Sequence, residues 1–151
     1  ALHRTDKDNV SGGLMWTTKY AGKGDGTPDC NNIILLRLSE MYLNRAEAIL
    51  NGASVSGTTA MADLNALRAN RGLEPLTSCG FGDVKLERRL ELAYEGHYLW
   101  DLARWGDPVE RTDFTGNASF KDVPFPSTKW ALPIPQREID INPELEQNPG
   151  Y

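Results

Sequence analysis

The sequence predicts a mainly α-helical fold, and three features carry this prediction. Residues 33–106 hold apolar side chains at steps of three and four, the spacing of one helix face. Residues 1–32 contain many glycines and no helical period. Six of the nine prolines lie between Pro124 and Pro149, and proline both fixes φ and removes a backbone donor. We therefore expect a single region, 1–151, with an irregular start, a helical core over 33–106 and an extended tail over 107–151.

The first segment is expected to be mostly loop. Five glycines fall between Gly12 and Gly26, and a short extended run is expected from Leu14 to Tyr20. No strand–GxxxxGK–helix pattern accompanies these glycines, so they do not indicate a phosphate-binding loop.

Two helices are expected to form a hairpin. The first runs from about residue 35 to residue 50 and stops at Asn51-Gly52, a common helix C-terminus. The second runs from about residue 60 to residue 70, with Thr58 or Thr59 as its N-cap. Because the connection is short, the two helices should pack antiparallel, as in a tetratricopeptide-like unit. One such hairpin does not make a repeat array.

A third helical segment, residues 86–106, is expected to break in its middle. Gly96 interrupts the pattern and costs about 1 kcal/mol relative to alanine in a helix. Glu87, Glu91 and Glu95 form an acidic column at steps of four, and like charges at this spacing destabilise an isolated helix. We expect a helix, a hinge at Gly96 and a second short helix ending near Gly106. Arginines from other segments should hold the glutamates.

Arginines and carboxylates are interleaved in the helical region, which favours a structural network of ion pairs. An unpaired buried carboxylate is costly, so pairing between helices is expected. Two of the carboxylates could instead act as general acid and general base in a small glycoside hydrolase. This is one of three functional interpretations of the sequence. The expected network comprises Arg37, Arg45, Glu47, Glu87, Arg88, Glu91, Glu95, His97, Asp101 and Arg104.

Neither a metal site nor a nucleophilic triad is predicted. His97 stands four residues before Asp101, so an imidazole–carboxylate pair is expected if the turn between them is helical. The other histidine, His3, lies in the loose N-terminal segment. The sequence contains no CxxC motif, which argues against zinc binding and redox catalysis. No cofactor is expected.

Charge and hydropathy exclude two further classes of protein. A formal net charge of −5 argues against a nucleic-acid-binding surface. No run of 18 apolar residues is present, so no transmembrane helix is predicted. The sequence also shows no signal peptide or lipidation motif.

Three sequence blocks resemble the SusD/RagB family. Residues 87–106 resemble the family signature ER..EL..EGH…DL.RWG. Residues 37–48 resemble its RLAEmYLiRAEA helix, and residues 64–73 resemble its LNalRanRGL block. The chain ends at residues 147–151 with Gln-Asn-Pro-Gly-Tyr, as members of the family usually do. The blocks occur in the family's order and span roughly residues 30–151.

The resemblance implies a glycan-binding lipoprotein on the outer-membrane surface of a Bacteroidetes-type bacterium. Such a protein binds an oligosaccharide and delivers it to a TonB-dependent transporter of the SusC type, without enzymatic activity. Because family members are several times longer and carry an N-terminal lipid anchor, this chain is expected to be a C-terminal piece without the anchor. The alternative is a helical-repeat protein-interaction scaffold that binds no sugar.

The resemblance also gives candidate glycan contacts. Sugar rings present apolar faces that stack on aromatic side chains, and Trp16, Tyr20 and Trp130 lie in irregular segments where such side chains are more often exposed. The family's sugar site is built largely from loops upstream of this region, so the matched blocks are interpreted as scaffold.

Cys30 and Cys79 are the two cysteines of the chain. In a cytosolic protein they would be expected as buried free thiols. The resemblance implies an oxidising compartment, in which the two can pair. A disulfide closing this loop would contribute roughly 4 kcal/mol in the chain-entropy model.

The end of the tail, residues 130–151, is expected to form a structural clasp over the helices. This segment has four apolar residues, and its backbone is expected to be extended around Pro133 and Pro135. Burying each would contribute roughly 1.5–3 kcal/mol. A disordered acidic tail is the alternative. The four side chains are Leu132, Ile134, Ile139 and Ile141.

Overall fold

The computed structural model describes residues 10–11, 14–15, 19–20, 35–112 and 114–151. Within these ranges the chain is mainly α-helical, which confirms the predicted fold class. The helices are α1 (Leu38–Leu50), α2 (Ala60–Asn70), α3 (Phe81–Glu91), α4 (Tyr98–Trp105) and α5 (Gln136–Ile141).

Two very short strands precede the helices. β1 (Val10–Ser11) and β2 (Leu14–Met15) pair antiparallel, with Val10 opposite Met15. The expected extended run from Leu14 to Tyr20 therefore begins as a strand, and Lys19-Tyr20 lies in a turn. Residues 16–18 of that run lie outside the described residues.

The chain divides into two compact units, Ala1–His97 and Tyr98–Tyr151. The division falls between His97 and Tyr98, one residue after Gly96. The first unit contains α1, α2 and α3, and the second contains α4, α5 and the proline-rich tail.

The hairpin of α1 and α2 ends where its glycines predict. Gly52 and Gly72 both have positive φ, at 95° and 67°. At α1 the amide of Ala53 donates to Ala48 at 2.9 Å, and at α2 the amide of Leu73 donates to Arg68 at 2.9 Å. These bonds satisfy carbonyls that would otherwise be left unpaired at the helix ends, the arrangement of the Schellman motif.

Helices α1 and α2 begin in different ways. Helix α2 begins after a side-chain cap, whereas α1 begins after a residue with an extended backbone and no side-chain cap. At α2 the hydroxyl of Thr59 accepts a hydrogen bond from the amide of Ala62 at 3.1 Å, which selects Thr59 of the two predicted caps. The first helix starts at Leu38 instead of about residue 35. Arg37 has an extended backbone, with φ −147° and ψ 153°, and it directs its guanidinium toward the end of α3.

The core of the first unit lies where α1 packs against α2 and α3. Leu43, Leu64 and Val84 are completely buried, one from each helix. Burying a side chain of this size contributes roughly 1.5–3 kcal/mol. The remaining members of this apolar cluster are Ala46, Ala60, Leu67 and Leu92.

The third helix begins and ends earlier than predicted. It begins at Phe81 because the carboxylate of Asp83 accepts the amide hydrogen of Gly80 at 2.8 Å, capping the first turn. It ends at Glu91, and a looped segment over residues 92–97 separates it from α4. Gly96 lies in this segment with φ +78°, and Tyr94 also has positive φ, at 65°. The expected break is therefore a short loop and not a single hinge residue.

The tail of the second unit departs from the expectation of purely extended chain. Residues 136–141 form α5 directly after Pro135, which occupies its N-cap. Proline disfavours helix in the residue before it, but it does not prevent a helix from starting just after it. Short 3₁₀ turns also occur at Ala118–Phe120 and Thr128–Trp130.

The apolar clasp predicted for the tail is wrong for two of its four side chains. Leu132 is 75% exposed and Ile141 is 68% exposed, whereas Ile134 and Ile139 are half-buried. Leu132 lies on extended chain, and Ile141 ends the short helix α5.

Polar side chains of the C-terminus hold the tail instead. The amide group of Gln147 accepts from the backbone N–H of Ile134 at 2.8 Å and donates to its carbonyl at 2.9 Å. Asn148 donates to the carbonyl of Leu132 at 2.6 Å, and the hydroxyl of Tyr151 donates to Ala131 at 3.0 Å. The side chains of Gln147, Asn148 and Tyr151 thus bind the backbone of residues 131–134.

This polar clasp gives a first prediction. Replacing Gln147 with alanine should release both hydrogen bonds to Ile134 and destabilise the tail by about 1–2 kcal/mol. Hydrogen exchange should then be faster at the amide of Ile134. The variant Gln147→Glu keeps the acceptor and should retain protection at that amide. Equal exchange rates in the parent and in Gln147→Ala would contradict the prediction.

Candidate functional site

Two arginines from outside α3 converge on Glu91, the last residue of that helix. The guanidinium of Arg71, at the C-cap of α2, donates to both carboxylate oxygens, with the Nε–Oε2 distance 3.0 Å. Arg37, the residue before α1, also forms an ion pair with this carboxylate. Glu91 is only 4% exposed. Burial alone would raise its pKa, but the hydrogen bonds from Arg71 and Arg37 lower the pKa from 4.5 to about 2.

Arg37 also binds a second carboxylate, in the loop after α3. Arg37 Nε donates to Glu95 Oε2 at 3.0 Å, and its Nη2 lies 2.9 Å from Glu95 Oε1. Burial would lower the pKa of Arg37, but hydrogen bonds to Glu95 and Glu91 raise it above its ordinary value. The guanidinium therefore stays charged and joins the start of α1 to the last residue of α3, Glu91, and to Glu95 within the loop.

Lys19 brings a distant part of the chain to this loop. Its ammonium pairs with Glu95 and donates to the carbonyls of Glu91 at 2.9 Å and Ala93 at 2.8 Å. A cation at the end of a helix is favourable because the terminal carbonyls carry partial negative charge. The neighbouring Tyr20 donates its hydroxyl hydrogen to the carbonyl of Tyr94 at 2.9 Å.

The remaining member of the acidic column is held by another α2 arginine. Glu87 is buried and forms an ion pair with Arg68, whose Nε also donates to the carbonyl of Glu74 at 2.7 Å. Arg88, 5% exposed, donates to the side chain of Asn44 at 2.6 Å and lies 3.6 Å from Glu40. All three glutamates of the column thus contact cations from outside α3.

Other residues of the expected network form ion pairs away from the acidic column. Arg45 forms a bidentate pair with Asp63, with distances of 2.8 and 2.6 Å, and does not serve the acidic column. Burial would raise the pKa of Asp63, but the hydrogen bonds from Arg45 and Thr58 lower it. In the second unit, Arg104 donates to Asp101 at 3.0 Å. Glu47 is buried on α1.

His97 lies beside a different carboxylate from the one expected. Its Nδ1 is 3.9 Å from Glu40 Oε1, and Glu40 also lies close to Arg88. His97 directly precedes α4, which begins at Tyr98, so it lies outside the helix that contains Asp101. The spacing rule that favoured Asp101 therefore does not apply at His97.

The three candidate aromatic contacts differ in their surroundings. Tyr20 is 44% exposed, although its hydroxyl is engaged with Tyr94. Trp130 is half-buried, donates its indole N–H to the carbonyl of Pro124 at 2.8 Å and packs edge-on against Phe125. Trp16 lies outside the described residues.

The cysteine pairing stays a prediction. Cys79 is half-buried at the edge of the apolar core, and burial raises the pKa of its thiol. Cys30 lies outside the described residues. Among the residues that the structure describes, no three His, Cys, Asp or Glu side chains form a group that could hold a metal ion. Within the same ranges, no helix combines the length and apolarity needed to cross a bilayer.

Sequence reasoning missed three cations of the site. Arg68 and Arg71 were visible as two arginines at the end of α2, three residues apart and separated by less than one turn. In an antiparallel hairpin this end lies near the start of α1, which is a usable signal. Lys19 is 72 residues from Glu91, and nothing in its local sequence indicates that contact.

The charge cluster predicts how stability depends on Glu91. Its carboxylate has a lower pKa in the folded protein than the ordinary value of 4.5, so folding is favoured by the ionised form. This contribution is complete above about pH 4.5 and is lost as the pH falls toward 2. Glu91→Gln removes the carboxylate that Arg71 and Arg37 share, leaves Arg37 with Glu95 alone, and should destabilise the protein by about 3–5 kcal/mol at neutral pH. Urea denaturation between pH 2 and 7 measures both effects.

The exposed Glu146 provides a matched control. Glu146→Gln should change the free energy of unfolding by less than about 0.5 kcal/mol, as surface substitutions usually do. The Glu91→Gln variant should also lose much of the pH dependence between 4.5 and 2. An effect of Glu91→Gln as small as that of the control would contradict a structural role for this carboxylate.

Lys19 yields a further prediction about the loop over residues 92–97. Lys19→Met removes the ammonium that binds the carbonyls of Glu91 and Ala93, so amide exchange in this loop should become faster. Lys19→Arg keeps the charge and should restore most of the protection. Unchanged exchange in Lys19→Met would show that the contact does not order the loop.

Comparison with known proteins places the chain in a family. The SusD family model matches residues 12–151. The chain is 34% identical over 136 residues to SusD-like protein P38 of Formosa agariphila, covering 82% of this chain and 25% of the relative. It is 31% identical over 160 residues to the starch-binding protein SusD of Bacteroides thetaiotaomicron, covering 95% of this chain and 28% of the relative. The chain therefore spans about a quarter of the length of these relatives.

Solved structures agree with the sequence comparison. A SusD superfamily protein from Bacteroides thetaiotaomicron superposes with a TM-score of 0.75 at 31% identity, covering 93% of this chain and 34% of that structure. Surface glycan-binding protein A from Bacteroides uniformis gives a TM-score of 0.60 at 32% identity, covering 78% of this chain and 28% of that structure. The chain belongs to the SusD family.

Proposed function

We propose that the protein containing this chain is the glycan-binding component of a cell-surface uptake system. In this proposal it binds an oligosaccharide outside the cell and passes it to a TonB-dependent transporter of the SusC type. The observation that carries the proposal is family membership over residues 12–151. Relatives whose names state starch binding and surface glycan binding support it.

The charge cluster supports binding without hydrolysis. A glycoside hydrolase needs two carboxylates facing an open cleft, roughly 5–10 Å apart. The densest acidic group in the described residues is the column on and after α3, and each of its members contacts a cation. Glu87 and Glu91 are also buried, so neither can reach a sugar placed at the surface. The carboxylates thus support the helices, and we propose no enzymatic activity.

The proposed location is the outer-membrane surface, through a lipid anchor at the N-terminus of the complete protein. This chain spans about a quarter to a third of the length of its relatives. The rest of such a protein would supply the anchor and the larger part of the sugar site. The transporter and the anchor are parts of this proposal that family membership supports, and they are tested on the complete protein.

The experiment is a glycan array probed with the protein encoded by the complete gene. Binding to one class of oligosaccharide, followed by titration calorimetry with the same sugar, is the expected result. Co-purification with a β-barrel transporter from detergent-solubilised outer membranes tests the partner. Chromatography of the sugar after long incubation should show no cleavage products.

A helical-repeat interaction scaffold is the alternative, and the same experiment separates the two. The helical hairpin of α1 and α2 is the feature that favours a scaffold. A scaffold would leave every array position empty while still retaining a protein partner. Absence of sugar binding by the complete protein would overturn the proposed function.

A further inference from the structure

The second unit contains an open cleft between two antiparallel segments. Val109 and Val123 pair as an isolated bridge, and each amide donates to the other's carbonyl at 2.9 Å. This bridge fixes the distance between residues 108–112 and residues 121–124. The space beside it has a volume of about 380 Å³, near the lower end of the range for small-ligand sites.

The wall of the cleft is held by hydrogen bonds of its own. The amide of Arg111 donates to the carboxylate of Asp122 at 3.2 Å, and its guanidinium donates to the carbonyl of Lys121 at 3.4 Å. The same guanidinium lies over the ring of Phe114, 5.4 Å from its centre. These contacts place the two segments in register beyond the bridge and limit the positions that the Arg111 side chain can adopt.

Trp130 holds Pro124, one of the residues that line the cleft. Its indole N–H donates to the carbonyl of Pro124, which lines the cleft, at 2.8 Å. Its ring packs edge-on against Phe125, with ring centres 5.5 Å apart. The N–H is therefore used to position Pro124. This makes Trp130 a positioning residue for the cleft wall, and its stacking contact with a sugar stays a prediction.

The chemistry of the lining selects one class of ligand. Glu110 and Asp122 supply acceptors, while Arg111 and Lys121 supply donors, so the formal charges balance. A strongly anionic or cationic ligand would meet like charges at such a site. A neutral sugar has hydroxyls that donate and accept, and C–H faces that can pack on the two prolines of the lining. These prolines are Pro108 and Pro124.

We propose that this cleft is a contact site for a neutral oligosaccharide, with Glu110 and Lys121 hydrogen-bonding its hydroxyls. The inference rests on the proposed function, since it names the charge class of the sugar and one place where it binds. Glu110 and Lys121 are exposed, and they lie on opposite segments of the cleft. One sugar ring between the segments would touch both.

The test uses the protein encoded by the complete gene and six defined probes. Maltoheptaose, cellohexaose, laminarihexaose, xylohexaose and mannohexaose are neutral, and an oligogalacturonate is the anionic comparison. Glu110→Ala and Lys121→Ala should each weaken binding of the best neutral probe by about tenfold, the effect of losing one hydrogen bond to a charged group. Glu146→Gln, on the same unit but outside the cleft, should bind like the parent.

A second measurement locates the bound sugar without relying on a substitution. Hydrogen exchange with and without the bound probe should show protection at residues 108–112 and 121–124. Trp130→Phe should weaken binding less than Glu110→Ala while speeding exchange near Pro124, because it loses only the N–H that holds the wall.

The outcomes separate this inference from the function itself. If the parent binds a neutral sugar but both cleft variants bind equally well, the cleft is not a contact site and the proposed function stands. Tighter binding of oligogalacturonate than of every neutral probe overturns the ligand class. If none of the six probes binds to the parent, this inference fails, while the wider glycan array decides the proposed function.

Discussion

Glu91 is the point at which three segments of the helical unit meet. Arg37 comes from just before α1, Arg71 from the end of α2, and the carboxylate itself from the end of α3. The antiparallel hairpin makes this possible because the start of α1 lies near the end of α2. A carboxylate that is 4% exposed is tolerated only with such partners, since the cost of removing its charge from water is several kcal/mol. The pKa of about 2 expresses the same balance.

This cluster complements an apolar core of modest size. Seven buried apolar residues from the three helices and the residue after α3 form the core, and two of them are alanines. Such a core cannot by itself fix the loop between α3 and α4, because within that loop only Leu92 belongs to it. The loop is instead held by Arg37 at Glu95 and by Lys19 at its backbone carbonyls. Apolar packing thus sets the angle between the helices, whereas charge sets the path of the chain that leaves them.

The elements best predicted from the sequence are those with local causes. Helix α2 has its predicted limits because a threonine cap and a glycine stop act within a few residues. The starts of α1 and α3 were misplaced because they depend on Arg37 reaching a distant carboxylate and on Asp83 capping Gly80. The lysine at position 19 could not be assigned at all, because its partners are over 70 residues away.

The tail shows the same limit in a different form. Apolar residues around two prolines suggested burial, and the structure holds this part of the chain with the side chains of Gln147, Asn148 and Tyr151. Hydropathy ranks residues by their transfer from water and carries no information on which backbone groups need partners. Pro133 and Pro135 lack amide hydrogens, so this segment cannot complete a regular strand ladder. Side-chain amides that match a peptide group in shape then become suitable partners.

The family signature and the proposed binding chemistry occupy different parts of the chain. In the signature over residues 87–106, Glu87, Glu91 and Glu95 are engaged with cations that position helices. A carboxylate held in this way cannot exchange its partner for a sugar hydroxyl without leaving a cation of the cluster unpaired. A ligand must therefore be recognised by groups whose rearrangement costs little, such as exposed side chains on short irregular segments. The cleft between residues 108–112 and 121–124 has such groups, and its backbone bridge supplies the rigidity that the exposed side chains lack.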